Sequence, residues 1–231
     1  MSTGLIIALD DPDLDKSVAM ARELSGKASA FKVGLTLFAA YGPEAIARIA
    51  DHGRVFCDLK LHDIPHQIDR ATSELCRMGV WMLTVHSSGG LPMMEAAVKA
   101  ARANHPEPLI AAVTVLTSLS SDQLALVGQG DKVKEQVIRL ARVAMDAGVP
   151  ALVSSARYLQ DLRAEFGNSI ILVTPGIRYG EADRQDQVQT MSPVQAAAAG
   201  ADHVVVGRPI TQAADPAAAA SRILNELESV G

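Results

Sequence analysis

The chain has 231 residues, of which 48% are hydrophobic, 20% charged and 3% aromatic, and its formal net charge is -5. That length and aliphatic composition suit one closed α/β unit with a large core, and the negative balance excludes a global positive field that would gather nucleic acid. Cys57 and Cys76 are too few for a disulfide framework or a spaced metal-ligand set, and no apolar run reaches membrane-spanning length.

Short apolar runs recur along the chain. They predict strands at Leu5 to Asp10, Ala30 to Gly34, Val55 to Lys60, Trp81 to Val85, Leu109 to Leu116, Ala151 to Val153, Ile170 to Thr174 and His203 to Gly207. Helical patterns fall between them, among them Leu14 to Ser25, Pro43 to Asp51, Pro65 to Met78, Asp131 to Ala147 and Pro216 to Ser229, with Gly79 and Gly148 as stops. Nearly continuous apolar strands alternating with helices indicate a parallel sheet covered by helices. Eight such units fit a closed (β/α)8 TIM barrel, with an open doubly wound sheet as the alternative. No linker or composition break divides the chain, so residues 1–231 are expected to form a single domain. The first strand follows closely on Met1, so no secretory leader is expected, and the cytoplasm is the expected compartment.

The third strand ends in Phe56-Cys57-Asp58-Leu59-Lys60-Leu61-His62-Asp63-Ile64-Pro65, a run of acids and bases that burial alone does not require. Residues two apart on a strand share a face, which pairs Asp58 with Lys60 and leaves Asp63 beyond the strand end. Upstream, Lys32 interrupts the apolar run Ala30-Phe31-Lys32-Val33-Gly34. Buried charges must be paired, so the Lys32, Asp58, Lys60 and Asp63 group is either a compensated structural network or a reaction centre. In a barrel, the strand ends would bring Asp10, Lys32, Asp58, Lys60, His86, Thr117, Pro175 and Arg208 to one mouth, where barrel enzymes carry their chemistry.

Val204-Val205-Val206-Gly207-Arg208-Pro209 is the second distinctive segment. Gly207 allows close backbone approach and Arg208 offers a planar guanidinium, a pair suited to phosphate at the end of a barrel's eighth strand. The structural alternative is that Arg208 caps a helix or pairs with a surface acid, but its position in the predicted fold favours phosphate. Between Pro175-Gly176-Ile177-Arg178 and Met191-Ser192-Pro193 lies a polar excursion of the length of a lid, in which Gln185, Gln187 and Gln189 are all candidates to reach a phosphate. His62 and His66 sit close to Asp58 and Asp63, but the ammonium of Lys60 opposes a divalent ion there, and no metal is expected. Cys57 alternates away from Asp58 and reads as packing.

Taken together, Ala8-Leu9-Asp10, Phe31-Lys32-Val33-Gly34, Asp58-Leu59-Lys60-Leu61-His62-Asp63-Ile64-Pro65, Thr114-Val115-Leu116-Thr117-Ser118, Thr174-Pro175-Gly176-Ile177-Arg178 and Val206-Gly207-Arg208-Pro209 closely resemble the orotidine 5'-phosphate decarboxylase family. The resemblance covers residues 5 to 226. It implies conversion of orotidine 5'-phosphate to uridine 5'-phosphate in pyrimidine synthesis, without cofactor or metal, by a homodimer with shared sites. It assigns catalysis to Lys32, Asp58, Lys60 and Asp63, with Lys60 as proton donor. It places Asp10 and Lys32 on the ribose, Thr117 near the pyrimidine, Gln187 on the closing loop and Arg208 on the phosphate. Asp63 and Ile64 are expected to enter the partner subunit's site, and Pro175, Arg178 and Gly207 to line the nucleotide. Neither nucleic acid nor a membrane is an expected partner. The alternatives are a metal-assisted phosphosugar lyase or aldolase on the same barrel, which Lys32 argues against, and a nonenzymatic phosphate-ligand sensor.

Overall fold

The computed structural model describes residues 3–178 and 191–230. Eight parallel strands close on one another in sequence order, β1 Gly4–Leu9, β2 Ala30–Gly34, β3 Val55–Leu61, β4 Met82–His86, β5 Leu109–Val113, β6 Ala151–Val153, β7 Ile171–Thr174 and β8 His203–Val206, with β8 pairing back onto β1. The helices are α1 Leu14–Glu23, α2 Leu35–Tyr41, α3 Pro43–Ala50, α4 Pro65–Arg77, α5 Leu91–Arg102, α6 Ser121–Leu126, α7 Val133–Asp146, α8 Leu159–Phe166, α9 Pro193–Ala198, α10 Arg208–Thr211 and α11 Pro216–Glu228. The closed barrel replaces the open-sheet alternative. Among the described residues, no helix is long and apolar enough to cross a membrane.

Period-two alternation divides the strands' side chains into two cores. Leu5, Ile7, Leu9, Phe31, Val33, Val55, Cys57, Leu83 and Val85 face outward and pack under the helices. Ile6, Ala8, Ala30, Phe56, Met82, Ala111, Ala151, Val173 and Val205 face inward and fill the barrel. The inner layer is solid, so the residue two positions further along a strand emerges at the C-terminal mouth. Ala8 leads to Asp10, Ala30 to Lys32, Phe56 to Asp58, Val173 to Pro175 and Val205 to Gly207, while Thr84, two beyond Met82, stays fully buried. Going the other way, Phe56 leads back to Arg54 and Val205 to His203, which define the floor.

Helix ends follow their local chemistry. Asp13, Ser192 and Asp215 accept hydrogen bonds from the backbone N–H groups of Lys16, Gln195 and Ala218, capping α1, α9 and α11. Gly79 and Gly148 follow α4 and α7 with φ of 74° and 75°, which fits their reading as stops. The fifth strand ends at Val113, short of the predicted Leu116; its last rung to β6 is the hydrogen bond from the Thr114 N–H to the carbonyl of Val153, which the Thr114 hydroxyl also reaches.

Candidate active site

A cavity of about 910 Å³ opens at the C-terminal mouth, within the range of small-ligand sites. Its walls include Asp10, Lys32, Asp58, Lys60, Thr117, Pro175, Gly176, Arg178, Gly207 and Arg208. The structure thus gathers in one place residues separated by as many as 198 positions, from β1 through to the start of α10.

Asp58 is the hub. Its Oδ2 lies 2.9 Å from Lys60 Nζ and 3.7 Å from Lys32 Nζ, while Oδ1 accepts a 3.0 Å hydrogen bond from the Thr84 hydroxyl. Lys32 Nζ also lies 3.0 Å from Asp10 Oδ1, which gives the order Asp10, Lys32, Asp58, Lys60 along the cavity wall. The side chains of Lys32 and Asp58 are only 12% and 13% exposed, against 63% for Asp10. The inner pair is therefore shielded and the outer carboxylate faces solvent. Gly34 makes room for this arrangement, since a Cβ there would lie 3.0 Å from Lys32 Nζ and 3.3 Å from Asp10 Oδ1.

Lys60 reaches Asp58 by an irregular backbone. Between β3 and β4, the four steps from Cys57 to Leu61 run beside only two from Leu83 to Val85, so β3 bulges there. At the bulge Lys60 has φ of 53°, and among the described residues it is the one non-glycine with positive φ. Holding a lysine there costs about 1–3 kcal/mol, a strain that persists only where its surroundings impose it. The regular-strand argument expected Asp58 and Lys60 to share a face by parity. They do meet, but through the bulge.

Other expected residues divide. Thr117, Pro175, Arg178, Gly207 and Arg208 line the cavity. Gly176 takes φ of 82° at the end of β7, and Gly207 immediately precedes the short helix α10. Arg178 buries its Nε without a hydrogen-bond partner. Asp63 and Ile64 do not line this cavity; Asp63 accepts a hydrogen bond from the Ile64 N–H at 2.7 Å, and Ile64 is 63% exposed. Gln187 lies outside the described residues. His86 stacks on His62, with centroids 5.5 Å apart, instead of lining the cavity. Burial depresses its pKa, with His62 and Lys60 acting the same way and Asp58 opposing them. Cys57 is buried in the outer core, where burial, reinforced by Asp58, pushes its thiol up to about 12 and leaves it no role as a nucleophile.

Thr84 is the residue that the charge pattern did not reveal. It is fully buried, and its hydroxyl accepts the Lys60 N–H at 2.8 Å while donating to Asp58. Its inward parity with Met82 is the signal that marks it.

The arrangement supplies an ammonium held against a shielded carboxylate at one side of the cavity and a glycine- and arginine-lined end elsewhere. Such a site can stabilise developing negative charge, donate a proton and hold an anionic group. The sequence model described as the orotidine 5'-phosphate decarboxylase / HUMPS family matches residues 3–223. The orotidine 5'-phosphate decarboxylase of Hydrogenovibrio crunogenus is 45% identical over 226 residues, covering 97% of this chain and 94% of the relative. That of Opitutus terrae is 44% identical over 230 residues, covering 99% and 100%. The crystal structure of orotidine 5'-phosphate decarboxylase from Lactobacillus acidophilus superposes with a TM-score of 0.85 at 31% identity, covering 97% of this chain and 99% of that one. Matches of this extent over nearly the whole barrel show that the chain belongs to the orotidine 5'-phosphate decarboxylase / HUMPS family and is a carbon-carbon lyase.

Proposed function

We propose that this enzyme decarboxylates orotidine 5'-phosphate to uridine 5'-phosphate and carbon dioxide, the last step of de novo pyrimidine nucleotide synthesis. The observation that carries the reading is Asp58 held 2.9 Å from Lys60 and 3.7 Å from Lys32 in the same cavity as Gly207 and Arg208. The family membership and the decarboxylase relatives support it.

In the proposed reaction, the bond between pyrimidine C6 and the carboxylate carbon breaks and its electron pair stays on C6. That pair lies in the ring plane and cannot spread into the π system. The Lys60 ammonium stabilises it and then transfers its proton to C6, and solvent restores the lysine. Asp58 sits beside the departing carboxylate, whose repulsion disfavours the ground state relative to the transition state while the same carboxylate orients Lys60. Lys32 and Asp10 take the ribose hydroxyls, and Thr117 borders the pyrimidine. Arg208, with Gly207, Pro175, Arg178 and Gln187, holds the phosphate end, so that binding energy remote from the reacting carbon restricts the nucleotide's position.

No cofactor takes part in this reaction. A metal-assisted phosphosugar lyase on the same barrel would use a carboxylate where Lys32 stands; here both nitrogen cations already crowd Asp58 Oδ2. The enzyme acts in the cytoplasm as a single-domain subunit of a homodimer, in which Asp63 and Ile64 of the partner subunit complete each site. The exposure of Ile64 and the position of Asp63 beyond the end of β3 support this arrangement.

Carbon dioxide release and uridine 5'-phosphate formation, measured after exhaustive metal removal, test the activity. Absence of turnover by folded protein, or strict dependence on added metal, rejects it. Mixing Lys60→Ala with Asp63→Ala chains tests the shared site, since a mixed dimer has one site with both residues intact. Recovery approaching half the parental activity is expected, and no recovery from verified mixed dimers rejects the sharing.

A further inference from the structure

Thr84 stands in the middle of an apolar strand, with Met82, Leu83 and Val85 as neighbours, and is fully buried. A buried hydroxyl needs partners, and Thr84 finds both of its own in the charged centre across the β3 bulge. It accepts from the Lys60 backbone N–H at 2.8 Å and donates to Asp58 Oδ1 at 3.0 Å. The bulge removes Lys60 from the regular ladder between β3 and β4, so its N–H would otherwise lack this strand's support. The second bond fixes the Asp58 oxygen opposite the one that meets Lys60 and Lys32.

We propose that Thr84 is a positioning residue for the decarboxylation centre, holding the left-handed backbone of Lys60 and the orientation of Asp58 with one hydroxyl. The inference rests on the functional reading above and adds a specific residue to it. Lys60 has φ of 53°, a conformation a lysine does not keep by itself, and the hydroxyl accepting its N–H is the contact that stabilises it. With the same oxygen tied to Asp58, backbone and carboxylate cannot shift independently. The ammonium is thereby delivered to Asp58 Oδ2 with little freedom to choose another direction. A displacement of about 1 Å in a positioned group can lower turnover by about 100-fold.

Thr84→Val keeps the side chain's shape and removes the hydroxyl, whereas Thr84→Ser keeps the hydroxyl. The expected result is a fall in kcat of about 10- to 100-fold for Thr84→Val with KM nearly unchanged, and kcat close to the parent's for Thr84→Ser. Thr84→Ala, whose vacated space can admit a water to the Lys60 N–H, carries the same comparison should Thr84→Val fail to fold. Crystal structures of the variants read the geometry independently of turnover. Loss of the left-handed Lys60 backbone, or of its contact with Asp58, in the hydroxyl-free variant and its retention in Thr84→Ser support the inference. A hydroxyl-free variant with parental kcat and unchanged geometry overturns it, as does equal damage in Thr84→Ser. An inactive parent rejects the functional reading instead, and the crystal structures then decide the positioning role alone.

Discussion

At the floor of the barrel the guanidinium of Arg54 rests 4.6 Å from the centre of the Trp81 ring, and His203 meets the same ring edge-on at 5.3 Å. At the mouth, two ammonium groups lie within 3.7 Å of one carboxylate oxygen, beside an open cavity. The same strands supply both ends, with the inner layer of Ile6, Phe56, Met82, Val173 and Val205 between them. The floor settles its cation against an aromatic face and a backbone carbonyl, Ser29 O, at 3.0 Å. Gly4 leaves space for the imidazole of His203, since a Cβ there would lie 2.4 Å from its Nδ1. Those groups are consumed by packing. At the mouth the groups are also paired, yet they border space that a charged ligand can enter. Polar residues at strand ends therefore mean different things according to whether the inner core lies behind them or solvent lies before them.

The largest expected effect breaks the mouth without touching the floor. Lys60→Ala removes the proposed proton donor and the charge that stabilises the carbanion. General acid catalysis contributes about 10²–10⁴-fold, and electrostatic stabilisation adds to it, so single-turnover decarboxylation should nearly vanish. The thermal midpoint should stay near the parent's because the inner and outer cores are intact. Near-parent turnover would reject the role, and collapse of the fold would show that the mouth is as structural as the floor.

Arg208→Ala sharpens the comparison within the mouth, by separating the anion-holding end from the reacting centre. A hydrogen bond between charged groups contributes about 1.5–3 kcal/mol, so kcat/KM for the phosphorylated substrate should fall roughly 10- to 150-fold. Reaction of the phosphate-free nucleoside should fall much less. Measuring both substrates with both proteins decides the matter; equal proportional losses would mean that Arg208 organises the centre or the fold.

How much of this was legible in the sequence differs between backbone and site. The strand-helix alternation is legible because every strand is a short apolar run that must be buried on both faces, and the closed barrel follows from eight of them. Strand limits were less legible: β5 stops where its pairing with β6 stops, at Val113 beside Val153, and that pairing joins segments far apart in the chain. Asp58 and Lys32 stood out because charges inside apolar runs require partners, and the structure supplies them. The geometry of Lys60 was not legible, since a bulge depends on the register of β3 against β4 rather than on any residue type within β3. Thr84 carries no charge; its place in an apolar strand and its inward parity with Met82 mark it as a buried hydroxyl, but which groups it serves appears only when that bulge is known. Asp63 and Ile64 illustrate the opposite limit: their motif is plain in the sequence, while one chain leaves both outside its own cavity.

The smallest expected effect concerns the floor. Burial depresses the pKa of His203 below its ordinary 6.5, with Arg54 lowering it further and Asp202 opposing both. Its Nδ1 is buried without a hydrogen-bond partner, in the space Gly4 leaves for it, and the Trp81 ring meets the imidazole edge-on, so among the charged groups acting on it only Asp202 favours the protonated form. A depressed histidine is held neutral in the folded state, so its contribution is complete above the unfolded pKa. As pH falls below about 6.5 the unfolded chain binds the proton more readily, and the contribution is lost down to the folded pKa. His86 at the mouth is depressed too, so the parent should lose stability to acid from both ends. His203→Asn removes the floor's share alone: lowering the pH from about 7.5 to about 5.5 should depress its thermal midpoint by a few degrees less than the parent's, with decarboxylation at neutral pH unchanged. An identical acid response in the two proteins would mean that the floor does not hold His203 neutral. Lost turnover at neutral pH would mean that the two ends of the barrel are coupled, and that the inner core transmits what it was taken to separate.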